Sequence, residues 1–457
     1  MVRVKNIFCR LVVLCIAGAL SSCAVTVRAQ MVRLEFTSTS DWAKLLPEDP
    51  KNIAAIAVTA TEGDPGFINM SPARLGLYQS LDDAKAGKRI GVTATIVLSP
   101  DALKQPLRFT LEKGALNNCV IRAFDGTNLL CDFHHNGSVT TNQMSNPKGF
   151  EINVSSLAPQ SLLMKRANVG KKVLAFYYPW YGTNDWNKPL LEDDHPLTRY
   201  SSDDSAIIAK HIEMAKTAGI DGFVSSWWGP DSYSDKNLRT LLNLAQKKHF
   251  AVTIYFETLT GHGPRDADEI EKWLAFAIET YRGHPAWLKA NDKPVIVLWA
   301  AHDVSLPTWR GIFAHLRARG LDAFYVGEGL CPANLAVWDG IHSYAVFNDT
   351  DLANSELIAQ RSTRLAASLT GATKIWCATV QPGYDDTRIP GRGGAVQPRD
   401  GGAFYRKTWD AALASDPDWI FITTWNEWWE HTEIEPGEKF GDAYLNITRD
   451  FAARWRK

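Results

Sequence analysis

The sequence predicts an α/β protein in which a (β/α)8 (TIM) barrel follows a smaller all-β, sandwich-like domain. From about residue 170 onward, strand-like apolar runs alternate with longer helical patterns. Repeated strand–helix units with buried strands are typical of a parallel sheet, and eight of them close into a barrel. Tryptophan usage supports the division, because the chain has 17 tryptophans and only Trp42 precedes residue 166. The eight predicted strands begin near Val173, Asp221, Ala251, Pro294, Asp322, Asp339, Lys374 and Asp418.

Residues 31–165 are predicted to form the β-rich accessory domain, and residues 166–457 the barrel. In the first of these regions, short alternating runs such as 90–98 are separated by turn-forming clusters such as 62–66. That spacing favours a sandwich. Two interpretations of its role are open, a carbohydrate-binding module and a packing or spacer domain. The region has few aromatic residues to offer a sugar, which favours the spacer.

Residues 1–30 are predicted to be a targeting segment. Two basic residues precede an apolar run over 7–20, which is too short for a membrane span and is typical of a secretory signal. A Leu-Ser-Ser-Cys sequence resembles a bacterial lipobox, which would place a lipid on Cys23 and attach the protein to a membrane. A Val-Arg-Ala sequence ending at Ala29 is similar to an ordinary cleavage site instead. Either interpretation predicts an exported protein, located in the periplasm, on the cell surface or in the medium.

Charge and cysteine usage limit the classes of partner and cofactor. The chain has 49 basic and 50 acidic residues, so it lacks the basic excess that a nucleic-acid partner requires. No C-x-x-C or H-E-x-x-H sequence occurs, and we therefore predict no metal site and no cofactor. Cys119 and Cys131 flank an Asp-Gly turn, and export permits a disulfide between them. The sequence carries no signal for the oligomeric state.

The carboxyl ends of the predicted strands are rich in aromatic and acidic residues. Active sites of (β/α)8 barrels lie at these strand ends. Aromatic rings stack on the apolar faces of sugars, and carboxylates and amides bind sugar hydroxyl groups. A single aromatic residue is more often part of the core, but so many at one rim predict a glycan-binding site. The predicted substrate-binding residues are Tyr178, Trp180, Tyr181, Trp227, Trp228, Glu257, Tyr344, Tyr384, Arg388, Asn426 and Trp428.

Glu427 and Glu430, just after the eighth strand, are the predicted catalytic residues. If the chain turns helically there, the three-residue spacing places their Cβ atoms about 5–6 Å apart. Two carboxylates at such range suit glycoside hydrolysis. Their repulsion and desolvation can keep one protonated as an acid while the other is ionised as a base. The alternative is a solvated acidic stretch, because three more glutamates follow within 433–438.

Several segments of the predicted barrel match, in order, the motifs of one enzyme family. They are 176–182 (Phe-Tyr-Tyr-Pro-Trp-Tyr-Gly), 200–203, 218–220, 226–228, 283–286, 382–387 and 426–435. These segments resemble glycoside hydrolase family 99, the endo-α-mannosidases. The resemblance spans roughly 171–445 and does not include the β-rich domain.

The resemblance implies a (β/α)8 barrel that cleaves internal α-mannosidic bonds with retention and needs no metal. It implies that Glu427 deprotonates the 2-hydroxyl of the sugar itself, which gives a 1,2-anhydro intermediate. It implies that Glu430 is the acid and then the base at the leaving oxygen. The spacing of the two residues agrees with a catalytic pair but does not assign these roles.

Three segments depart from the family pattern. Residues 255–258 are Tyr-Phe-Glu-Thr where the family has His-Ile-Glu-Pro, 186–189 replace a motif that contains histidine, and 388–393 replace an aromatic-containing loop. The departures affect substrate-contacting positions and leave the catalytic pair intact. Two alternatives to an endo-α-mannosidase are therefore open. One is a hydrolase of a different polysaccharide, and the other is a non-catalytic glycan-binding lipoprotein, against which the presence of both glutamates counts.

Overall fold

The computed structural model describes residues 24–67, 72–114, 118–136, 147–191 and 194–457. Residues 1–23, which hold most of the predicted targeting segment and Cys23, lie outside the described residues. Among the described helices, none is both long and apolar enough to cross a membrane.

Eight parallel strands close into a barrel, which confirms the predicted fold class. The strands are hydrogen-bonded in the order 3-2-1-8-7-6-5-4, and pairing between strands 3 and 4 closes the ring. Each strand begins within two residues of its predicted start. Barrel strands 1 to 8 are Lys172–Tyr177, Gly222–Trp227, Ala251–Glu257, Lys293–Trp299, Phe324–Glu328, Gly340–His342, Ile375–Val380 and Trp419–Ile422.

Seven of the eight α-helices in the described residues alternate with the barrel strands. Strands 5 and 6 are the exception, because only a 3-10 helix, Pro332–Ala336, connects them. Short antiparallel pairs decorate the barrel at Leu259–Thr260 with Gly263–Pro264, at Lys289–Ala290 with the start of strand 4, and at Tyr384–Asp385 with Val396–Gln397. The helices are α1 Leu81–Lys85, α2 Ser205–Thr217, α3 Tyr233–Lys248, α4 Ala267–Tyr281, α5 Leu306–Ala318, α6 Leu352–Thr370, α7 Ala403–Ala414 and α8 Ala443–Arg456.

The region before the barrel is all-β and consists mainly of two five-stranded antiparallel sheets. Their strand orders are β10-β9-β2-β7-β4 and β11-β8-β3-β6-β5, and β1 pairs separately with β12. In β2 and β3 every second residue is buried, as expected for sheets with one face in a core. The strands are β1 Ala24–Ala29, β2 Met31–Ser38, β3 Trp42–Pro47, β4 Ile53–Glu62, β5 Gly66–Phe67, β6 Leu75–Tyr78, β7 Ile90–Leu98, β8 Leu107–Lys113, β9 Cys119–Asp125, β10 Asn128–His135, β11 Lys148–Ile152 and β12 Gln160–Lys165.

The all-β region packs where the barrel lacks a helix. Strand β4 contacts both α6 and the 3-10 helix between barrel strands 5 and 6. The backbone N–H of Ile56 donates to Ser362 Oγ at 3.0 Å, and Arg310 pairs with Asp64. One continuous apolar core includes buried residues from both regions. The all-β region therefore packs directly on the barrel.

Cys119 and Cys131 are free thiols, so the disulfide that export permits is not formed. In the β9–β10 hairpin, Cys119 lies opposite His135, whereas Cys131 lies opposite Ala123. An offset of four residues along a strand is about 13 Å, and a disulfide needs Cα atoms within about 7 Å.

We expect both thiols to remain reduced in the folded protein, because the hairpin register holds them apart. Alkylation after denaturation without a reductant should label Cys119 and Cys131, as detected by peptide mass spectrometry. A peptide that joins the two cysteines would contradict the register.

Candidate active site

Glu427 and Glu430 lie on a short helical turn after barrel strand 8. The turn is the 3-10 helix Trp428–Glu430, and Glu427 caps it by accepting the backbone N–H of Trp429 at 3.1 Å. The two side chains are buried, with 4% and 9% of each residue exposed. The alternative of a solvated acidic stretch does not fit, because Glu433 and Glu435 are buried as well.

Burial and mutual repulsion set the protonation of this pair. Burial raises the pKa of Glu427 well above its ordinary value, and the Glu430 carboxylate raises it further. Burial also raises the pKa of Glu430, while the guanidinium of Arg392 acts in the opposite direction. Two such groups can share one proton, which provides an acid and a base side by side.

Tyrosine hydroxyls hold both carboxylates in place. The Tyr181 hydroxyl donates to Glu427 Oε1 at 3.4 Å, and the Tyr344 hydroxyl donates to Glu430 Oε2 at 3.4 Å. Tyr178 in turn donates to the Tyr344 hydroxyl at 2.8 Å. These predicted residues, from the ends of strands 1 and 6, therefore meet the catalytic pair at the barrel mouth.

A third carboxyl group lies at the end of barrel strand 3. Glu257 accepts from Ser226 Oγ at 2.6 Å, and Ser226 Oγ accepts from the Trp228 indole at 3.1 Å. Burial raises the pKa of Glu257 to about 8, and nearby Glu328 adds to the rise. At neutral pH a protonated Glu257 can donate a hydrogen bond. Trp228 is 39% exposed and presents an aromatic surface beside it.

Trp180 and Trp429 form an aromatic wall next to the pair. Their rings stack with centroids 5.2 Å apart and an interplanar angle of 16°, and Tyr178 packs on Trp180 at 4.5 Å. Both tryptophans are partly exposed. Trp429 is not among the predicted substrate-binding residues, although its position between the two glutamates in the sequence indicates a place at the site.

Two predicted substrate-binding tryptophans are core residues instead. Trp227 is fully buried, and its indole donates to Asp235 Oδ1 at 2.8 Å. Successive residues of a barrel strand point alternately inward and outward, so Ser226 faces the mouth and Trp227 faces the helices. Trp428 is also fully buried, and its indole donates to Glu435 Oε2 at 2.9 Å.

Two further predicted contacts are displaced. The side chain of Asn426 is buried and bonds to the backbone N–H and C=O of Tyr178 and to the Tyr200 hydroxyl. It therefore joins strand 8 to strand 1 rather than facing the mouth. Arg388 is exposed and donates to the backbone oxygen of Pro189 at 3.3 Å, because the chain turns away before it.

The arginine at the catalytic pair is Arg392. Its guanidinium contacts Glu430 Oε1 and also donates to the Tyr384 hydroxyl at 3.1 Å. Tyr384 donates to Asp386 Oδ2 at 3.0 Å. Arg392 lies in the segment that departs from the family pattern, and that departure was the only signal in the sequence. Arg392 thus links Tyr384, one of the predicted substrate-binding residues, to Glu430.

Below the pair, a buried network anchors the loop that carries it. Glu435 accepts from the indole of Trp428 and from the Tyr200 hydroxyl, each at 2.9 Å. Its other oxygen lies 2.8 Å from His211 Nε2. None of Glu435, Tyr200 and His211 was selected from the sequence, because each acts through other residues.

We expect Trp227 and Trp228 to respond differently to replacement by alanine. Trp227→Ala removes a fully buried ring and should lower the free energy of unfolding by about 3–5 kcal/mol. Trp228→Ala, at a half-exposed position, should cost about 1 kcal/mol or less and weaken glycan binding. Denaturant unfolding and glycan titration of both variants check this, and equal destabilisation would contradict the inward–outward assignment.

Comparisons with known proteins identify the family of the chain. The model of the family described as glycosyl hydrolase family 99 matches residues 194–449. The chain is 25% identical over 379 residues to glycoprotein endo-alpha-1,2-mannosidase of Rattus norvegicus. The aligned region covers 68% of this chain and 79% of that protein. The enzyme of the same name from Xenopus laevis is 24% identical over 352 residues, or 62% of this chain and 76% of that protein. The solved structure of the GH99 endo-alpha-mannosidase from Bacteroides thetaiotaomicron has a TM-score of 0.54 and 27% identity, and it covers 62% of this chain and 97% of that one.

Proposed function

Because the chain belongs to glycosyl hydrolase family 99, we propose that it is an exported, retaining enzyme that cleaves internal α-mannosidic bonds of a glycan. The buried pair Glu427 and Glu430, at the mouth of the barrel, carries this proposal. The relatives named as endo-acting α-mannosidases support the linkage and the internal cleavage.

In the first step, Glu430 gives its proton to the glycosidic oxygen as the bond from that oxygen to C1 breaks. Glu427 takes the proton of the 2-hydroxyl, and O2 forms a bond to C1. The product is a 1,2-anhydro sugar, with Glu427 now protonated and Glu430 ionised. This exchange uses the one proton that the pair shares.

In the second step, water attacks C1 and gives a proton to Glu430. The bond between C1 and O2 breaks, and Glu427 returns its proton to O2. Both carboxyl groups then have their starting protonation, and two inversions at C1 amount to retention. The deeper position of Glu427 supports its role toward the sugar ring, and the position of Glu430 beside partly exposed Arg392 supports its role toward the leaving group.

The surrounding groups support sugar binding. Trp228 and the stacked pair Trp180 and Trp429 provide apolar ring surfaces. Protonated Glu257 and the tyrosine hydroxyls provide hydrogen bonds that fit sugar hydroxyl groups.

We expect Glu427→Gln and Glu430→Gln each to lose about 10²–10⁴-fold of the hydrolysis rate on α-mannan, because each removes a proton-transfer group. Chromatography of the released oligosaccharides measures the rate. Glu438→Gln is the matched control, because this glutamate follows in the same acidic stretch with its side chain 59% exposed, and it should keep full activity.

Three other outcomes decide between the alternatives. Products from a different polysaccharide alone would keep the catalytic pair and change the substrate. Glycan binding without turnover on any polymer would indicate the non-catalytic lipoprotein. Full activity of Glu430→Gln would exclude its role as acid.

We also propose that the mature chain begins at a lipidated Cys23. Strand β1, Ala24–Ala29, pairs with β12 over six residues, and cleavage after Ala29 would remove it. Processing before Cys23 keeps the whole strand, which favours the lipobox over the second site.

We expect the full-length chain to incorporate labelled palmitate in a bacterial host and the Cys23→Ser variant to lose the label. Mass spectrometry of the mature N-terminus provides the second measurement. A mature chain that begins at Gln30 without lipid would contradict this proposal.

A further inference from the structure

Both oxygens of the proposed acid Glu430 are occupied in the structure. Arg392 contacts Oε1, and the Tyr344 hydroxyl donates to Oε2 at 3.4 Å. An acid must place one of its oxygens within hydrogen-bond distance of the glycosidic oxygen. The leaving-group sugar therefore competes with these two partners for the Glu430 carboxyl group.

Arg392 is the more exposed of the two partners and the one that a sugar can displace. Tyr344 accepts from Tyr178 at 2.8 Å and is held within the barrel mouth. The Arg392 side chain, in contrast, is 45% exposed, while that of Glu430 is 12% exposed. Arg392 thus covers Glu430 from the solvent side, from which a leaving-group sugar has to approach.

The local backbone permits this movement. Arg392 lies between Gly391, with φ of 81°, and the pair Gly393 and Gly394, the latter with φ of 74°. A Cβ atom at position 391 or 393 would meet nothing within 4 Å. Close packing therefore does not explain these glycines, and their conformational freedom does.

The contact also opposes the chemistry of the first step. A guanidinium beside a carboxylate favours the ionised form and lowers its pKa, whereas an acid has to carry a proton. Glu430 would be a better acid with Arg392 away from it.

Resting on the proposed function, we propose that Arg392 is a positioning residue that caps Glu430 in the free enzyme and leaves it when the leaving-group sugar binds. Tyr384, which Arg392 also contacts, provides a second anchor on the same loop. While it is in place, the Arg392 guanidinium favours the ionised form of Glu430 and opposes the effect of burial on its pKa. The segment 388–393, which distinguishes this chain from the family pattern, would therefore couple substrate binding to protonation.

The other groups around Glu430 are fixed elements of the barrel mouth. They are Asp386 and Tyr384 after strand 7, Glu427 after strand 8, Tyr344 after strand 6, Tyr178 after strand 1, and Tyr255 and Glu257 on strand 3. Among the described residues, Arg392 is a cation whose hydrogen bond and charge lower the pKa of Glu430. Its removal should therefore move the Glu430 pKa upward.

The test compares the pH profiles of kcat/KM and kcat for Arg392→Met. The kcat/KM profile reports the free enzyme, and the kcat profile reports the substrate complex. Loss of the cation raises the pKa of the acid, so the alkaline limb of kcat/KM should move up by about one pH unit. The alkaline limb of kcat should not move, because Arg392 has already left Glu430 in the complex.

Two variants control this experiment. Arg392→Lys keeps the charge and should leave the kcat/KM limb near its wild-type position. Arg454→Met removes another exposed arginine of an ion pair, with Asp410, on the outer helices, and should change neither profile. Equal movement of both limbs in Arg392→Met would show that Arg392 stays on Glu430 throughout, and no movement would show that the contact has no effect. Either result overturns the proposal.

A second measurement does not depend on turnover. The protein for this measurement is ¹³C-labelled Glu427→Gln. Its Glu430 carboxyl signal is identified as the one that is lost when Glu430→Gln is added, and that signal reports the titration of Glu430. An α-mannan oligosaccharide should raise that pKa by about one unit, and in the Arg392→Met background it should cause no further rise. If the wild-type protein hydrolyses none of the glycans but Glu427→Gln protein shows this pKa response, the proposed enzymatic function is wrong and the proposed role of Arg392 is supported. Turnover with no such response rejects the cap alone.

Discussion

The buried carboxylate of Glu435 is the interaction on which the catalytic mouth depends. It binds the indole of Trp428, the Tyr200 hydroxyl and His211 within a region closed to solvent. A buried charge is tolerated only when its partners replace the lost water. Three partners from separate parts of the chain meet that need. These contacts anchor the loop that holds Glu427 and Glu430.

Above this anchor, the barrel mouth concentrates acidic groups that repel one another. Glu257, Glu328, Glu427 and Glu430 all have raised pKa values, each with burial as the first cause. Ionising all of them together would be unfavourable in a site of low dielectric. Some of these four carboxyl groups therefore have to be protonated when all four are buried close together. Desolvation destabilises the charged carboxylates and so raises their pKa values. A carboxyl group that keeps its proton for this reason can act as an acid.

The sequence predicts the architecture well and the site only in part, for physical reasons. Strand positions follow from apolar runs, and the pair Glu427 and Glu430 follows from their spacing at a strand end. The orientation of Trp227 depends on inward–outward alternation, which a search for aromatic residues overlooks. Arg392 reaches Glu430 through a loop whose path no local pattern encodes. The sequence around Glu328 does not distinguish it from other acidic residues, because its raised pKa depends on burial in the folded barrel.

The all-β region is explained by what the barrel lacks. The first half of β4 is buried on nearly every residue, unlike the alternating β2, because its second face lies against α6. As an edge strand, β4 has backbone groups without a strand partner, and Ser362 satisfies one of them at Ile56. With no α-helix between barrel strands 5 and 6, this strand covers apolar surface that solvent would otherwise reach. The two regions thus share one apolar core, and the apolar surface buried between them holds the sandwich against the barrel.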